Sequence, residues 1–223
     1  MSIGNSNSAR ARILARIRKA QGRGAGAPAR AETDAIEAYL QAHPRGPLPA
    51  IEGDLVARFR MHAESMQSTT EEVAREVDAP AAVAAYLIAH RLPLAGCVWP
   101  SLAHLDWRGA GLALEPRAAR GEDLVGVTGA FAAIAETGTL MVASGPDTPA
   151  AASLLPETHV ALLRAGRIVA RMEEAWDLAR QAFGQLPRAV NFISGPSRTG
   201  DIEQQLVLGA HGPYRVHIVV VRA

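Results

Sequence analysis

The sequence has a single cysteine, Cys97, among its 223 residues. One thiol cannot form an intramolecular disulfide bond, and it cannot supply the several cysteine ligands of an iron–sulfur cluster. We therefore expect no iron–sulfur cluster in this chain, and a lone thiol suits a reducing compartment. The identity of any other cofactor stays unknown at this level.

Long apolar runs are missing as well. No run approaches the roughly 18 residues that a membrane-spanning helix needs, and the N-terminus lacks the apolar core of a secretory signal. These absences predict a cytoplasmic protein with no membrane span. The composition, 48% hydrophobic and 20% charged, is typical of a globular protein built as one large domain or as one domain with an appendage.

Acidic residues are absent from the first 30 positions, which carry seven basic residues. The rest of the chain holds the other 16 of the 23 basic residues and all 22 acidic ones, a net charge of −6. A nucleic-acid-binding domain normally carries basic residues across its body. We therefore expect no nucleic-acid partner.

The basic arm predicts a helix. Ile13, Leu14 and Ile17 have helical spacing within "SARARILARIRKA" (8–20), and Ser8 is placed to cap it. The pattern favours a surface helix with a solvated basic face over a docking element or a helix for an anionic surface.

A glycine-rich segment, "GRGAGAPAR" (22–30), follows this helix and predicts a flexible linker. Its glycines come after a helix rather than a strand, so they do not form a dinucleotide-binding fingerprint. We expect residues 1–31 to form the basic helix and linker, and residues 32–223 to form an α/β domain.

The body of the chain changes pattern near Arg91. Before it the spacing is helical, including "TTEEVAREV" (69–77), where Thr69 and Glu72 have capping-box spacing. After it short β-like runs alternate with helix, most clearly at 172–186, which predicts an α/β sheet with helices on its faces. The expected strands are "LAGCVW", "LALE", "LVGVT", "TLMVAS", "HVALLR", "AVNFI" and "YRVHIVVV".

Three polar turns are candidates for binding or catalysis, and the first is "ISGPSRTGDIE" (193–203). We interpret it as the link from a strand to a helix at 201–208, with free backbone amides at the carboxyl end of that strand. Arg198 supplies a forked cation suited to a carboxylate or phosphate. The neighbouring hydroxyls and flexible backbone come from Ser194, Ser197, Thr199, Gly195 and Gly200. Alternatively, Thr199 or Asp201 only caps the helix and Glu203 complements its dipole; no Gly-Lys-Ser/Thr is present, so the turn is not a nucleotide P-loop.

The other two turns are "AIAETGTLMV" (133–142) and "LGAHGP" (208–213). Glu136 either lies in a plain tight turn or acts as a nucleophile or base at a strand edge. Gly209 resembles a helix C-cap, which would make His211 a stabilised cation or an acid–base group. Metal signals are weak, because the seven histidines are scattered and His-Glu-x-x-His is absent. We expect no metal site, and we place His62 on a helix surface.

These turns occur together and in order, and in that arrangement they resemble the lactate utilization (LUD) domain family. The resemblance rests on "AIAETGTL", "SLLPETHVALL" and "ISGPSRTGDIEQQLVLGAHGP", and it is dense from about Leu124 onward. One departure is Gly200, where the family often has alanine. The family's motif positions are Glu136, Thr137, Gly138, Thr139, Ser194, Gly195, Pro196, Ser197, Arg198, Thr199, Asp201, Glu203, Gly209, His211, Gly212 and Pro213.

The resemblance implies a three-layer sandwich like that of ribose-5-phosphate isomerase and CoA transferases. It also implies a role in oxidising L-lactate to pyruvate with iron–sulfur partner proteins. By analogy with CoA transferases, Glu136 is the candidate nucleophile. We expect the loops of Glu136, Arg198 and His211 to meet in one cleft that binds a small carboxylate or other anionic ligand. A stand-alone CoA-transferase-like or isomerase-like enzyme and a non-catalytic scaffold subunit are the alternatives.

Overall fold

A computed structural model describes residues 6–24, 26–48, 50–202 and 205–223, with no account of side chains at 6, 7 and 200–206. The chain divides into two compact units, Met1–Pro49 and Ala50–Ala223. The division lies C-terminal to the boundary at residue 31 that the linker suggested, so both N-terminal helices fall in the first unit. In the described part of the chain, no helix is both long and apolar enough to cross a membrane.

The first unit consists of two helices, α1 (Ser6–Ala20) and α2 (Arg30–Ala42). Ser8 lies inside α1, so it does not cap the helix as expected. Ile13 is 60% exposed, and α2 buries none of its residues. An ion pair joins Arg23 to Glu32 across the linker. The unit therefore has little apolar core of its own.

The second unit is a mixed α/β domain, which confirms the predicted fold class. Its helices are α3 (Leu55–Ser65), α4 (Ala79–Ala89) and α5 (Met172–Phe183). Its strands are β1 (Thr69–Val73), β2 (Ala95–Val98), β3 (Ala113–Pro116), β4 (Val125–Gly129), β5 (Ala132–Ile134), β6 (Thr139–Ala143), β7 (Thr158–Arg164), β8 (Ile168–Val169), β9 (Val190–Ile193), β10 (Arg198–Ile202), β11 (Gln205–Leu208) and β12 (Arg215–Val221).

Six strands form the main sheet, in the order β1-β12-β7-β4-β2-β3, and every neighbouring pair is parallel. Strands of such a sheet are covered on both faces and are therefore apolar almost throughout. In β12 every residue from Val216 to Val221 is buried, including His217. α4 packs against β12, while α3 contacts β1.

A smaller sheet has the order β8-β5-β6-β9, with β6 antiparallel to both β5 and β9. α5 packs on it through Ala175 and Ala179, which form a second apolar cluster with Ala132, Ile134 and Met141. Small side chains on α5 let the helix approach the sheet closely. The helix predicted over 172–186 is thus confirmed, ending at Phe183.

The helix predicted at 69–77 is wrong. Residues 69–73 form β1, which pairs in parallel with β12 from Thr69↔His217 to Val73↔Val221. Hydrogen bonds to a strand far away in the sequence outweigh the local capping-box spacing, and β-branched Thr69, Thr70 and Val73 fit a sheet well.

The helix predicted at 201–208 is also wrong. β10 and β11 pair antiparallel as a separate two-stranded sheet, with Arg198 opposite Leu208 and Thr199 opposite Val207. Residues 203 and 204 lie outside the described residues, and Glu203 with them. β-Branched Thr199 and Val207 favour extended backbone, and they lie opposite each other across the two strands.

Candidate functional site

In chain order, the first motif is residues 133–142, the second is residues 193–203 and the third is residues 208–213. The first motif contains a tight turn that connects β5 to β6. The Gly138 N–H donates to the Ile134 carbonyl over 3.0 Å, and Gly138 has a φ of +66°. A β-carbon at Gly138 would lie 2.7 Å from the Ala63 Cα, nearer than real Cβ atoms approach a neighbour. Gly138 is therefore needed both for its conformation and for the close approach of the turn to α3.

Glu136 lies in this turn, half-buried, and its backbone N–H donates to the Ala170 carbonyl over 3.0 Å. Next to it a row of hydroxyls leads away from the turn. Thr137 Oγ1 and Thr139 Oγ1 are 2.7 Å apart, and Thr139 Oγ1 is 2.5 Å from Ser194 Oγ. The first motif is thus joined directly to Ser194 of the second motif.

The second motif meets the C-terminal end of α3. The Arg198 Nη2 donates to the Met66 carbonyl over 2.9 Å. Gly195 has a φ of +75°, and a β-carbon there would lie 3.0 Å from the Met66 carbonyl carbon. Both residues therefore hold the turn after β9 against one peptide group, and Arg198 has a structural contact in addition to any binding role.

The third motif closes on the second through backbone hydrogen bonds. The Ser197 N–H donates to the Pro213 carbonyl, and the Gly209 N–H donates to the Ser197 carbonyl, both over 2.9 Å. Gly209 follows β11 rather than a helix, so the predicted helix C-cap is wrong. His211 is exposed and has no helix end beside it, so the expected stabilisation of its cation by a helix terminus is wrong too.

The absence of a helix at 201–208 also removes its N-terminal amides, so that part of the predicted anion site is wrong. Asp201 lies in β10, where its side chain is not described, and it caps no helix. Thr199 lies in the same strand and does not cap a helix either. In the described part of the chain, no hydrogen bond or ion pair joins Glu136, Arg198 and His211. Their convergence in one cleft stays a prediction.

The three motifs collect at the amino edge of the main sheet, not at its carboxyl edge. Met66 precedes β1, and Pro213 precedes β12. The turn does follow the carboxyl end of β9, but β9 belongs to the smaller, largely antiparallel sheet, so the expected place beside the carboxyl ends of the parallel strands is wrong. A depression of about 330 Å³ lies here, lined by Leu155, Glu157, Leu208, Gly209, Gly212, Tyr214 and Arg215.

A larger cavity of about 380 Å³ lies at the opposite, carboxyl edge of the main sheet. Its lining includes Trp99, Gly129, Phe131, Arg164 and Arg167, and none of the site residues predicted from the sequence. No motif marks these residues. They could have been found by taking the residue that ends or follows each strand, once the order of the strands was known.

His159 and Cys97 are among the buried titratable groups of the main sheet. His159 is fully buried in β7, its Nε2 is 2.8 Å from Thr128 Oγ1, and burial lowers the pKa of its ring to about 4. Cys97 is fully buried in β2, where burial and then the negative charge of Asp123 raise the pKa of its thiol to about 11. Both groups are neutral at pH 7, and neither lines the cavity.

Among the described residues, no group of three or more histidine, cysteine, aspartate or glutamate side chains could hold a metal ion. His62 is half-buried in α3, and its Nε2 has no hydrogen-bond partner among the described residues.

Comparison with known proteins defines the class. Residues 113–221, from β3 to β12, match the family model of the LUD domain. This match confirms the resemblance seen in the motifs. A crystal structure of a DUF162 family protein from Deinococcus radiodurans has the same fold, with a TM-score of 0.58 over 78% of this chain and 99% of that one, at 23% identity.

Several curated relatives have the name lactate utilization protein C. The protein from Bacillus subtilis (strain 168) is 39% identical over 100 residues, which is 44% of this chain and 42% of that protein. The one from Bacillus licheniformis is 34% identical over 127 residues, or 55% of this chain and 53% of the relative. The matching segment spans about half the length of these relatives. Another similar protein, from Exiguobacterium sp. (strain ATCC BAA-1283 / AT1b), is 43% identical over 100 residues, 44% of each chain.

Proposed function

We propose that the protein takes part in lactate utilization, as a component of a system that oxidises L-lactate to pyruvate together with iron–sulfur partner proteins. The observation that supports this is the identity of 34–43% to proteins named lactate utilization protein C. The single cysteine supports a need for partner proteins, because iron–sulfur clusters with cysteine ligands would have to be bound by other chains.

We also propose that the three motifs bind a small carboxylate or another anionic ligand. A guanidinium has five N–H donors in a fixed fork. Arg198 gives an Nη2 hydrogen to Met66, and its side chain is exposed at the edge of the sheet. The remaining donors suit a carboxylate, with the hydroxyls of Thr139 and Ser194 close to the same turn. Glu136 and His211 are the proposed proton-transferring or nucleophilic groups of this site.

Deletion of the gene, followed by growth with L-lactate or with pyruvate as carbon source, tests the role. We expect slower growth on L-lactate, normal growth on pyruvate, and restoration by the wild-type gene. Affinity purification from lactate-grown cells, with mass spectrometry, should recover iron–sulfur proteins. Equal growth of the deletion strain on both acids would contradict the proposal, as would a preparation free of iron–sulfur proteins.

A further inference from the structure

The order of strands in the main sheet reverses direction once. From β2 the chain moves outward to β3, and it then returns past β2 to β4 and continues through β7 to β12. The neighbouring strands β2 and β4 are therefore followed by connections that leave in opposite directions. In open parallel sheets, the crevice beyond the carboxyl ends at such a reversal is where ligands bind.

The cavity of about 380 Å³ lies at this reversal. Trp99 directly follows β2, and its backbone N–H donates to the Val127 carbonyl of β4 over 3.0 Å. Gly129 ends β4, and a β-carbon there would be 3.5 Å from the Trp99 ring. Glu76 follows β1, Leu162 and Arg164 belong to β7, and Val221 ends β12, so five of the six parallel strands contribute. The cavity is thus built by the sheet itself.

One wall carries a cation that is held in place. The Arg167 guanidinium carbon lies 4.6 Å from the centre of the Phe131 ring, and the Arg167 Nε donates to the Phe131 carbonyl over 2.9 Å. Stacking and a backbone hydrogen bond fix a planar guanidinium, so less conformational freedom is lost when it binds an anion. The neighbouring Arg164 pairs with Glu76 at 3.0 Å, so its charge is already compensated.

The rest of the lining is mostly apolar and aromatic. Phe183 lies 4.8 Å from Phe131, centre to centre, and Leu162 comes from β7. The Trp99 indole N–H is already used by the Pro149 carbonyl, at 3.0 Å. The ring therefore offers the cavity an apolar surface rather than a donor. A three-carbon acid would fill only a small part of this volume.

We propose that the cavity binds a molecule in which a flat apolar group carries a carboxylate or phosphate. The anionic group lies on Arg167, and the flat group lies against Trp99, Phe131 and Phe183. The volume falls within the roughly 300–1,000 Å³ that is usual for small-molecule sites. This site is separate from the three motifs at the amino edge, so it can be tested independently of the proposed role in lactate utilization.

Fluorescence titration of the full-length protein with 8-anilinonaphthalene-1-sulfonate, an aromatic anion, tests the site. We expect binding at one site, with competition by phenyl phosphate and 1-naphthoate and none by L-lactate at the same concentration. Arg167→Met should weaken binding about tenfold, as expected for loss of a charged hydrogen-bond donor. Ala130→Leu, which fills the cavity from its lining, should weaken it as well.

Arg108→Met is the matched control, because Arg108 is exposed and does not line the cavity. It should leave the dissociation constant unchanged. Thermal melts identify variants that fail to fold, and the Arg167 and Ala130 substitutions test the site by separate means. Unchanged affinity in both folded variants would overturn the proposal, and so would displacement of the dye by L-lactate or failure of the wild-type protein to bind any of the aromatic anions.

Discussion

Gly138 and Ala63 lie in backbone contact, although 75 residues separate them in the chain. The turn between β5 and β6 presses on α3 so closely that no β-carbon fits at Gly138. The same helix ends at Ser65, and the carbonyl of the next residue, Met66, accepts the Arg198 hydrogen bond. α3 is therefore the common support of the first two motifs, and the motif residues are constrained by packing as well as by any ligand.

We expect Gly138→Ala to destabilise the protein by about 2–5 kcal/mol, from the left-handed backbone and the overlap with α3. Gly111→Ala is the control, since Gly111 also has a positive φ, +81°, but no atom within 4 Å of a β-carbon. It should cost only about 1–2 kcal/mol. Urea denaturation of both variants gives the comparison, and equal losses would show that the contact with α3 carries no energy.

Arg198→Met separates binding from structure at the second motif. Losing one hydrogen bond to the Met66 carbonyl should cost about 0.5–1.5 kcal/mol. Loss of the guanidinium should abolish binding of L-lactate or pyruvate, measured by isothermal titration calorimetry. Arg188→Met, at another exposed arginine, should retain that binding. If folded Arg198→Met binds as well as wild type, the anion site is not at this turn.

Cys97 should be inert in the folded protein. Burial and the nearby Asp123 carboxylate raise the pKa of the thiol to about 11, so almost no thiolate exists at pH 8. We expect Ellman's reagent to leave the native protein unmodified and to modify one thiol in guanidinium chloride. Rapid modification under native conditions would mean that β2 opens readily.

His159 should make stability depend on pH. Its pKa is about 4 in the folded protein and roughly 6.5 when unfolded, so between these values only the unfolded chain binds the proton. The free energy of unfolding should therefore fall by about 3 kcal/mol as the pH drops from 6.5 to 4, and this loss should be absent above pH 6.5.

Subtracting the stability curve of His159→Gln from that of wild type removes the contribution of the other titrating groups. The wild-type advantage should shrink toward pH 4. Thr128→Val, which removes the hydroxyl 2.8 Å from the ring nitrogen, retains the histidine and should keep most of the slope. A constant difference between wild type and His159→Gln would mean that the buried ring is protonated in the folded protein.

Much of the α/β domain could be predicted from short-range pattern. The strand at 215–221 and the helix at 172–183 have one clear periodicity each, because a buried parallel strand and an amphipathic helix place their apolar residues differently. β1 could not be predicted, because the spacing of Thr69 and Glu72 is a local pattern that indicates a helix. In the sheet, Thr69 pairs with His217, which is 148 residues away in the chain.

The candidate site could also be predicted only in part from the sequence. The three motifs do belong together: Thr139 contacts Ser194, and Ser197 contacts Gly209. Their shared support, α3, could not be predicted, since nothing in the local sequence near Met66 indicates a contact with Arg198. The cavity at the carboxyl edge depends on strand order, which is decided by pairings between distant segments.

The position of β12 has a consequence for biosynthesis. This strand comes last among the described strands but lies second in the sheet, between β1 and β7. Until residue 221 has emerged from the ribosome, β1 has no neighbour and β7 has an open edge. Parallel pairing over such a separation closes slowly, and an open, apolar edge invites pairing with other chains. We therefore expect the nascent domain to depend on chaperones until β12 has paired, and truncation within β12 to give a chain that aggregates rather than one with a locally frayed end.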